Sequence, residues 1–436
     1  MRLMDRKLIN VGLIATYLCT MISSGAKASS WTDKVQLSAE GRLRSEAQND
    51  TDFSSANDDL RFTIARFRLG FDFRPVEESS IFVQPQYSAT FGQPQVVNAS
   101  TASVTDSGNN VQSVPTAQTQ NTSGSLFDNS LSLHQAYISH RFADSFEMKL
   151  GRQEIVYGDE LLIGSVGWSN VGRSFDALKS SVSYEAMQLD LFWAKITDRN
   201  ISSSGDGDSD FLGAYSVFKD VYGLTSLDFY LLFSRDPSGT PNLIHLYTYG
   251  SRLKSAWNSM DYRAEITGQY GSMLGASQSA FQADGELGYS YDWLHKSRAS
   301  LHLLYASEDY NQLYPTAHKW LGHLDLLGRR NIMASAIHFQ NWLNEKWGVL
   351  VDAHEFFRVQ TDKPAYKLNG STGLGTGVAS KSRNIGTELD ASLIYKINEA
   401  LTTSGGGSFF LPGTYIEREL GDKKPLKAYI EVVARF

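Results

Sequence analysis

Cysteine is nearly absent: the 436 residues hold one, Cys19. It lies in an amino-terminal stretch that reads as a secretory signal, so the mature chain has no thiol for a disulfide framework or a thiolate metal site. Tyr17-Leu18, just before it, lack the small residues of a lipoprotein signal. Long apolar runs are missing too. Leu8 to Ile22 is broken by Asn10, Gly12 and Thr16 and falls short of the ~18 residues that a membrane-crossing helix needs. Positive charge is not in excess: the formal net charge is -7, which argues against a nucleic-acid partner. There is no G-x-S-x-G sequence, and His134, His245, His302 and His354 stand without a nucleophile pattern. Asp206-Gly207-Asp208-Ser209-Asp210 begins like a calcium loop. Phe211 and Val217, however, occupy the places of its turn glycine and bidentate glutamate. His318, His323 and Asp325 lack a diagnostic zinc spacing. No catalytic residue, metal or cofactor is expected, and no ~20–50-residue period suggests a solenoid.

Present at the amino terminus are Arg2, Arg6 and Lys7, then the apolar run, then the small-x-small site Ala26-Lys27-Ala28. These mark residues 1–28 as a cleaved signal peptide and 29–436 as the mature domain. Removing four basic residues (Arg2, Arg6, Lys7, Lys27) and one acidic residue (Asp5) moves the formal charge from -7 to -10.

Past the signal the dominant period is two. Val35, Leu37, Ala39 and Leu43 alternate with Gln36, Ser38, Glu40, Arg42 and Arg44. Ala65, Phe67, Leu69, Phe71 and Phe73 alternate with Arg66, Arg68, Asp72 and Arg74. About eighteen such segments of about ten residues recur, long enough when tilted to cross the roughly 25 Å apolar band of an outer-membrane barrel. Short connections (75–80, 141–145, 184–186, 219–226, 254–259, 292–297, 340–346, 396–400) alternate with generally longer ones. The longer set is 46–58, 91–130, 155–174, 197–210, 235–242, 271–279, 309–331, 359–383 and 411–425. The pattern predicts an all-β, up-and-down antiparallel transmembrane barrel in the outer membrane of a Gram-negative cell, with short periplasmic turns and long extracellular loops. Segment 91–130, rich in Gln, Asn, Ser and Thr, reads as a mobile loop. Tyr87, Tyr137, Tyr289, Tyr291 and Tyr395 are expected in the interface girdles. A secreted soluble β protein also alternates, but it would bury the arginines and carboxylates wholesale.

The polar faces bring Arg42, Arg44, Arg66, Arg68, Arg74, Lys149, Arg252, Arg263, Asp352, His354, Arg358, Glu388 and Asp390 toward a lumen. Guanidinium groups suit carboxylate ligands through a planar, always-charged fork. The same residues can equally brace the wall as salt bridges. Two places break the parity. Arg152 falls on the lipid side, where a mid-bilayer charge costs about 2–4 kcal/mol, so a bulge near Gly151 or a rim position is expected. Lys179 shares its side with Phe175 and Ala177, which makes that strand the weakest.

Residues 151–177, GRQEIVYGDELLIGSVGWSNVGRSFDA, resemble the signature segment of the alginate export family. LYPTAHKWLGHLDLLGRRNI (313–332) resembles that family's long external loop, and NIGTELDASLIY (384–395) and FFLPGTYIERE (409–419) resemble its late segments. The resemblance runs through nearly the whole mature chain. It implies an eighteen-stranded monomeric channel passing an anionic polysaccharide (a polyuronate) outward through an arginine-lined pore, with outer-membrane lipid and periplasmic secretion components as partners. It also implies that Arg152, Asp159, Trp168, Asn170, Arg173 and Asp176 tie a loop to the pore wall. Acids outnumber bases on the polar faces, so an uptake porin for oligosaccharides with a mixed-charge eyelet is the alternative. A barrel enzyme or surface-binding protein is the third reading.

Overall fold

The structure, a computed structural model, describes residues 34–54, 59–91, 101–105, 111–115, 130–197, 209–237, 244–273, 275–292 and 295–436. The signal segment, most of 91–130 and the 206–208 part of the acidic loop lie outside the described residues.

Eighteen strands form one closed antiparallel sheet, each paired with its neighbours in sequence. They are β1 (Val35–Asn49), β2 (Leu60–Val76), β3 (Ser79–Phe91), β4 (Ser130–Ala143), β5 (Phe146–Gln153) and β6 (Phe175–Tyr184). Next come β7 (Met187–Thr197), β8 (Ser209–Val221), β9 (Leu224–Asp236), β10 (Ile244–Trp257), β11 (Met260–Met273) and β12 (Ala276–Tyr291). The circuit ends with β13 (Lys296–Ala306), β14 (Ile332–Trp342), β15 (Trp347–Phe357), β16 (Asn384–Lys396), β17 (Leu401–Pro412) and β18 (Leu426–Arg435). Pairing of β18 back onto β1, from Glu40↔Arg435 to Asn49↔Leu426, closes the barrel. Closure is what a lipid environment demands, because an open edge would leave backbone amides without partners.

The period-two pattern sets the two faces. Leu37, Phe67, Leu131, Trp193, Ile266, Leu303, Ile337 and Ile430 all point outward and are exposed, while Arg44, Arg66, Arg252, Asp284, His354 and Glu388 point inward and are buried. So much apolar exposure suits an acyl-chain surround, not water. The buried apolar cluster therefore lies inside the barrel: Ile155, Leu161, Leu162, Ile163, Tyr310, Trp320, Leu321 and Leu327 meet inward-facing Phe175, Phe211 and Leu304.

Two expectations change, and a third resolves between its two alternatives. Connection 271–279 is a tight turn, since β11 and β12 pair continuously to Met273↔Ala276. Tyr137 is not in an interface girdle: it points inward, with the Lys149 ammonium 4.3 Å over its ring. The cause is a β-bulge on β4. Gln84 pairs with Gln135 and Pro85 with Leu133, leaving His134 as the extra residue that inverts the parity beyond it. Pro85 lacks an amide to donate, so the ladder is weakest there. Arg152, by contrast, is not turned inward by any bulge: its register through Tyr137↔Gly151 and Ala136↔Arg152 is unbroken. It stays on the outer face at the end of β5 and forms a bidentate pair with Asp176, at 2.8 Å to each carboxylate oxygen.

Candidate functional site

Two of the long connections, 154–174 and 307–331, fold into the lumen. Both carry apolar residues without a strand's alternation, Leu161-Leu162-Ile163 in one and Leu321, Leu324, Leu326-Leu327 in the other, and these bury against each other. The backbones meet at a parallel bridge, Ile163↔Tyr314. The amides of Tyr314, Gly164 and Thr316 donate to the carbonyls of Leu162, Tyr314 and Glu160 at 2.8, 2.9 and 3.0 Å. Arg173 adds a guanidinium that donates to the carbonyls of Gly164, Tyr314 and Pro315. Trp320 Nε1 donates to Asp159 O at 2.9 Å. Together the two segments make a plug with its own small core.

The wall grips this plug on three sides. On β1 and β2 the arginine ladder donates to four carbonyls of the first segment. Arg42 reaches Gly167 O and Ser169 O (both 2.8 Å), Arg66 the same two (3.2 and 2.8 Å), Arg44 Trp168 O (2.9 Å), and Arg68 Val171 O (3.1 Å). Their charge is balanced along the wall: Arg66 by Glu40 at 2.6 Å, Arg44 by Glu46 at 2.6 Å, and Arg42 by Glu431 at 3.7 Å. On the second side Arg252 joins Asp159 (2.6 Å) to Asp228 (3.1 Å). Burial alone would raise the Asp159 carboxyl, but the Arg252 guanidinium bound to it brings it below its ordinary value. Nearby, Asp284 takes Arg263 of the wall and Arg329 of the plug, each at 2.6 Å, and His302 at 3.1 Å. Arg263 also lies 3.9 Å over the Trp320 ring. On the third side Glu388 accepts the Leu324 amide at 2.8 Å. Lys427 donates to His323 O at 2.9 Å and pairs with Asp325 at 3.3 Å. Gly322 has φ +87, and a side chain there would run into the Glu388 carboxyl, so glycine is required at this contact.

Most of the residues expected to line an open pore are therefore spent on holding the plug. Arg42, Arg44, Arg66, Arg252, Arg263 and Glu388 are buried under it rather than presented to a solute. His354 and Asp390 lie 3.5 Å apart, and Asp352 accepts from His338 at 2.7 Å, on the same crowded wall. Arg74 is exposed and paired with Asp72 at 2.8 Å near the short-turn end. Arg358 is outside the lumen. It donates to Lys363, Gly377, Ser380 and Ser382 carbonyls and sits 3.9 Å over Tyr415 of helix α1 (Thr414–Glu419), organising the outer loops.

Within the family-like motif, Asp159, Trp168, Asn170 and Arg173 sit at plug contacts. Trp168 meets Arg44 at 3.6 Å and His318 at 4.2 Å. Asn170, fully buried, accepts Ser88 Oγ on its carbonyl at 3.2 Å. Arg152 and Asp176 do not tie the loop: they pair with each other on the outer wall. Sequence reasoning missed Arg329, Thr316, Tyr314 and Lys427. Segment 313–332 had been expected as an external loop, and its dense apolar residues were the available sign that it folds inward.

Beside the plug there is open space. A cavity of about 520 Å³ runs along β4–β8 toward the short-turn end, lined by Gln135, Glu154, Tyr157, Lys179, Asp190 and Lys219 among others. Lys179 pairs with Asp190 at 3.0 Å. Tyr157 stacks on Tyr215 at 4.2 Å, and Tyr215 on Tyr230 at 5.5 Å, giving a flat aromatic edge beside the charges.

A closed eighteen-stranded barrel with outward apolar side chains and a polar, plugged lumen defines an outer-membrane channel of the porin class. Solved porins share the architecture. The BenF-like porin from Pseudomonas fluorescens Pf-5 matches with a TM-score of 0.62 at 10% identity, covering 93% of this chain and 99% of that one. OccK2 (OpdF) from Pseudomonas aeruginosa matches at 0.61 and 10%, covering 93% and 98%. Its complex with glucuronate matches at 0.60 and 11%, covering 93% and 96%. At such identities the likeness is one of fold. No curated protein matches this sequence. Residues 33–426 match the alginate export family, and the chain belongs to it.

Proposed function

We propose that the protein passes an anionic polysaccharide or oligosaccharide of the uronate class across the outer membrane, as a monomer, once residues 1–28 have been removed. The observation that carries this reading is the cavity along β4–β8. In it cations (Lys179, Lys219), amide side chains (Gln135, Gln188) and a tyrosine ring share one open surface. Ammonium groups and amides bind carboxylates and hydroxyls, and an aromatic edge supports the apolar face of a sugar ring. Family membership and the glucuronate found in a porin of the same fold point to the same class of solute.

Full passage of a chain requires the plug to shift, because the arginine ladder offers no free guanidinium face in this state. The mixed-charge uptake porin is favoured by one observation: Glu154 and Asp190 share the cavity with the lysines. Planar-bilayer conductance under a salt gradient separates the two. Anion selectivity with blockade by oligouronates and not by neutral oligosaccharides is expected. Cation selectivity, or equal indifference to both sugars, makes the protein a general porin.

A further inference from the structure

On the outer wall, five charged residues stand side by side on five successive strands. Register pairs Arg152 (β5) with Asp176 (β6), Asp176 with Lys195 (β7), Lys195 with Asp210 (β8), and Asp210 with Arg235 (β9). Three neighbouring pairs along the row are bonded: Arg152–Asp176 at 2.8 Å, Lys195–Asp210 at 2.9 Å and Arg235–Asp210 at 3.5 Å. All five share the outward parity of Leu150, Trp193, Leu212 and Leu231, and all sit at strand ends next to the long connections. Mid-bilayer charges are costly and charges at the boundary are cheap, so the row marks the outer headgroup level.

Directly below the row the wall is concave. A groove of about 410 Å³ runs between Leu178, Leu191 and Trp193 on one side and Leu231, Phe233 and Tyr247 on the other. On β8 it is lined by Leu212, Gly213 and Ala214, and the single methyl of Ala214 leaves the floor low between the larger side chains. Trp193 forms the joint between groove and row, its Nε1 donating to Asp210 at 3.0 Å. Apart from Ser180 its lining side chains are mostly apolar, a surface that suits an acyl chain.

We infer that this face is a seat for a phosphorylated, multi-acyl glycolipid of the outer leaflet, with one chain in the groove and its phosphates on the row. Charge complementarity selects that occupant. The row carries three cations to two carboxylates. The cations stand on alternate strands, two inter-strand spacings of about 4.8 Å apart, so successive positive charges repeat at roughly 10 Å. The carboxylates hold the long basic side chains in line, and two phosphates at comparable separation can each meet a cation. This inference rests on placement of the barrel in an outer membrane and not on the identity of the solute.

The test is native mass spectrometry of the full-length mature barrel in detergent. The probes are a bis-phosphorylated hexa-acyl glycolipid, its mono-phosphorylated counterpart and phosphatidylglycerol. The wild-type protein is expected to retain the bis-phosphorylated lipid at least tenfold better than either of the others. Lys195→Glu with Arg235→Glu should abolish that preference, and Ala214→Trp, which fills the groove without touching a charge, should lower retention of all three lipids. Single-channel conductance, read on the same samples, reports that each variant is folded. Equal retention of the three lipids by wild type overturns the proposal and leaves ordinary boundary lipid. Retention unchanged in both folded variants overturns it as well.

Discussion

The guanidinium of Arg44 lies 3.6 Å over the ring of Trp168, and the same indole stacks on His318 at 4.2 Å. Wall, first inner segment and second inner segment thus meet at one side chain. Trp168→Ala removes the stacking surface from both partners at once, a change worth about 2–4 kcal/mol of docking energy at a half-buried site. The barrel itself should still fold, since its ladder is untouched. Single-channel recordings should show a several-fold larger or noisier conductance than wild type. Conductance equal to wild type would mean that Trp168 is not a principal latch.

Asp284 is an electrostatic node of the lumen, with two guanidiniums and an imidazole converging on a carboxylate that is nearly free of solvent. Asp284→Asn leaves Arg263 and Arg329 without their shared counter-charge. Breaking a buried pair from one side costs about 3–5 kcal/mol. Urea unfolding should show that loss. Combining it with Arg329→Gln should cost less than the two single losses added together, because both remove the same contact. Simple additivity in the cycle would count against a shared node.

The barrel was legible in the chain because alternation is a local signal. Leu37 to Leu43 on β1 and Phe67 to Phe73 on β2 each report their face directly. The plug was not legible, since its contacts join residues far apart in sequence: no local pattern tells that Tyr314 will lie against Ile163. Phe175, Ala177 and Lys179 show the difference in one strand. Their shared parity looked like a fault in β6. In the fold Phe175 and Ala177 face the apolar plug, with Phe175 edge-on to Tyr314 at 5.5 Å, whereas Lys179 lies lower, beside the open cavity. The arginines were found by charge and parity, but whether a guanidinium grips a solute or a backbone carbonyl depends on which loop turns inward.

Arginine and lysine variants should consequently separate. Lys179→Glu with Lys219→Glu reverses charge in the open cavity and should move the reversal potential toward cations, with uronate blockade weakened by about tenfold, the effect of ~1.4 kcal/mol. Arg42→Gln with Arg66→Gln alters charge only beneath the plug. It should change gating and hydrogen exchange at 165–171 while leaving the selectivity of the wild-type state in place. If the arginine pair shifts selectivity as strongly as the lysine pair, the ladder is exposed in the conducting state.

Acid should loosen the second inner segment. Burial holds the His318 imidazole below its ordinary value of 6.5, with Lys427 and Arg44 acting the same way and the Asp325 carboxylate, 2.9 Å away, opposing them only in part. His323, stacked on it at 4.7 Å, is lowered by burial and by His318, while Asp390 and Asp352 oppose. A histidine whose folded-state value lies below its unfolded one binds protons better once released. Its contribution is therefore present above about pH 6.5 and declines as pH falls through that value. For Asp325 burial would raise the carboxyl, but His318 and Lys427 outweigh it and hold it below the ordinary 3.8. That contribution persists above 3.8 and is lost only at still lower pH, so Asp325 itself adds no change between pH 7.5 and 5.5. Amide exchange over 317–327 should be slow and flat from pH 8 to 7, after correction for intrinsic rates, and should accelerate toward pH 5.5. His318→Phe keeps a flat ring against Trp168 but cannot take up a proton, and it should reduce the acceleration. Slower exchange at pH 5.5 than at 7.5 in wild type would mean that protonation strengthens the His318–Asp325 contact and tightens the segment.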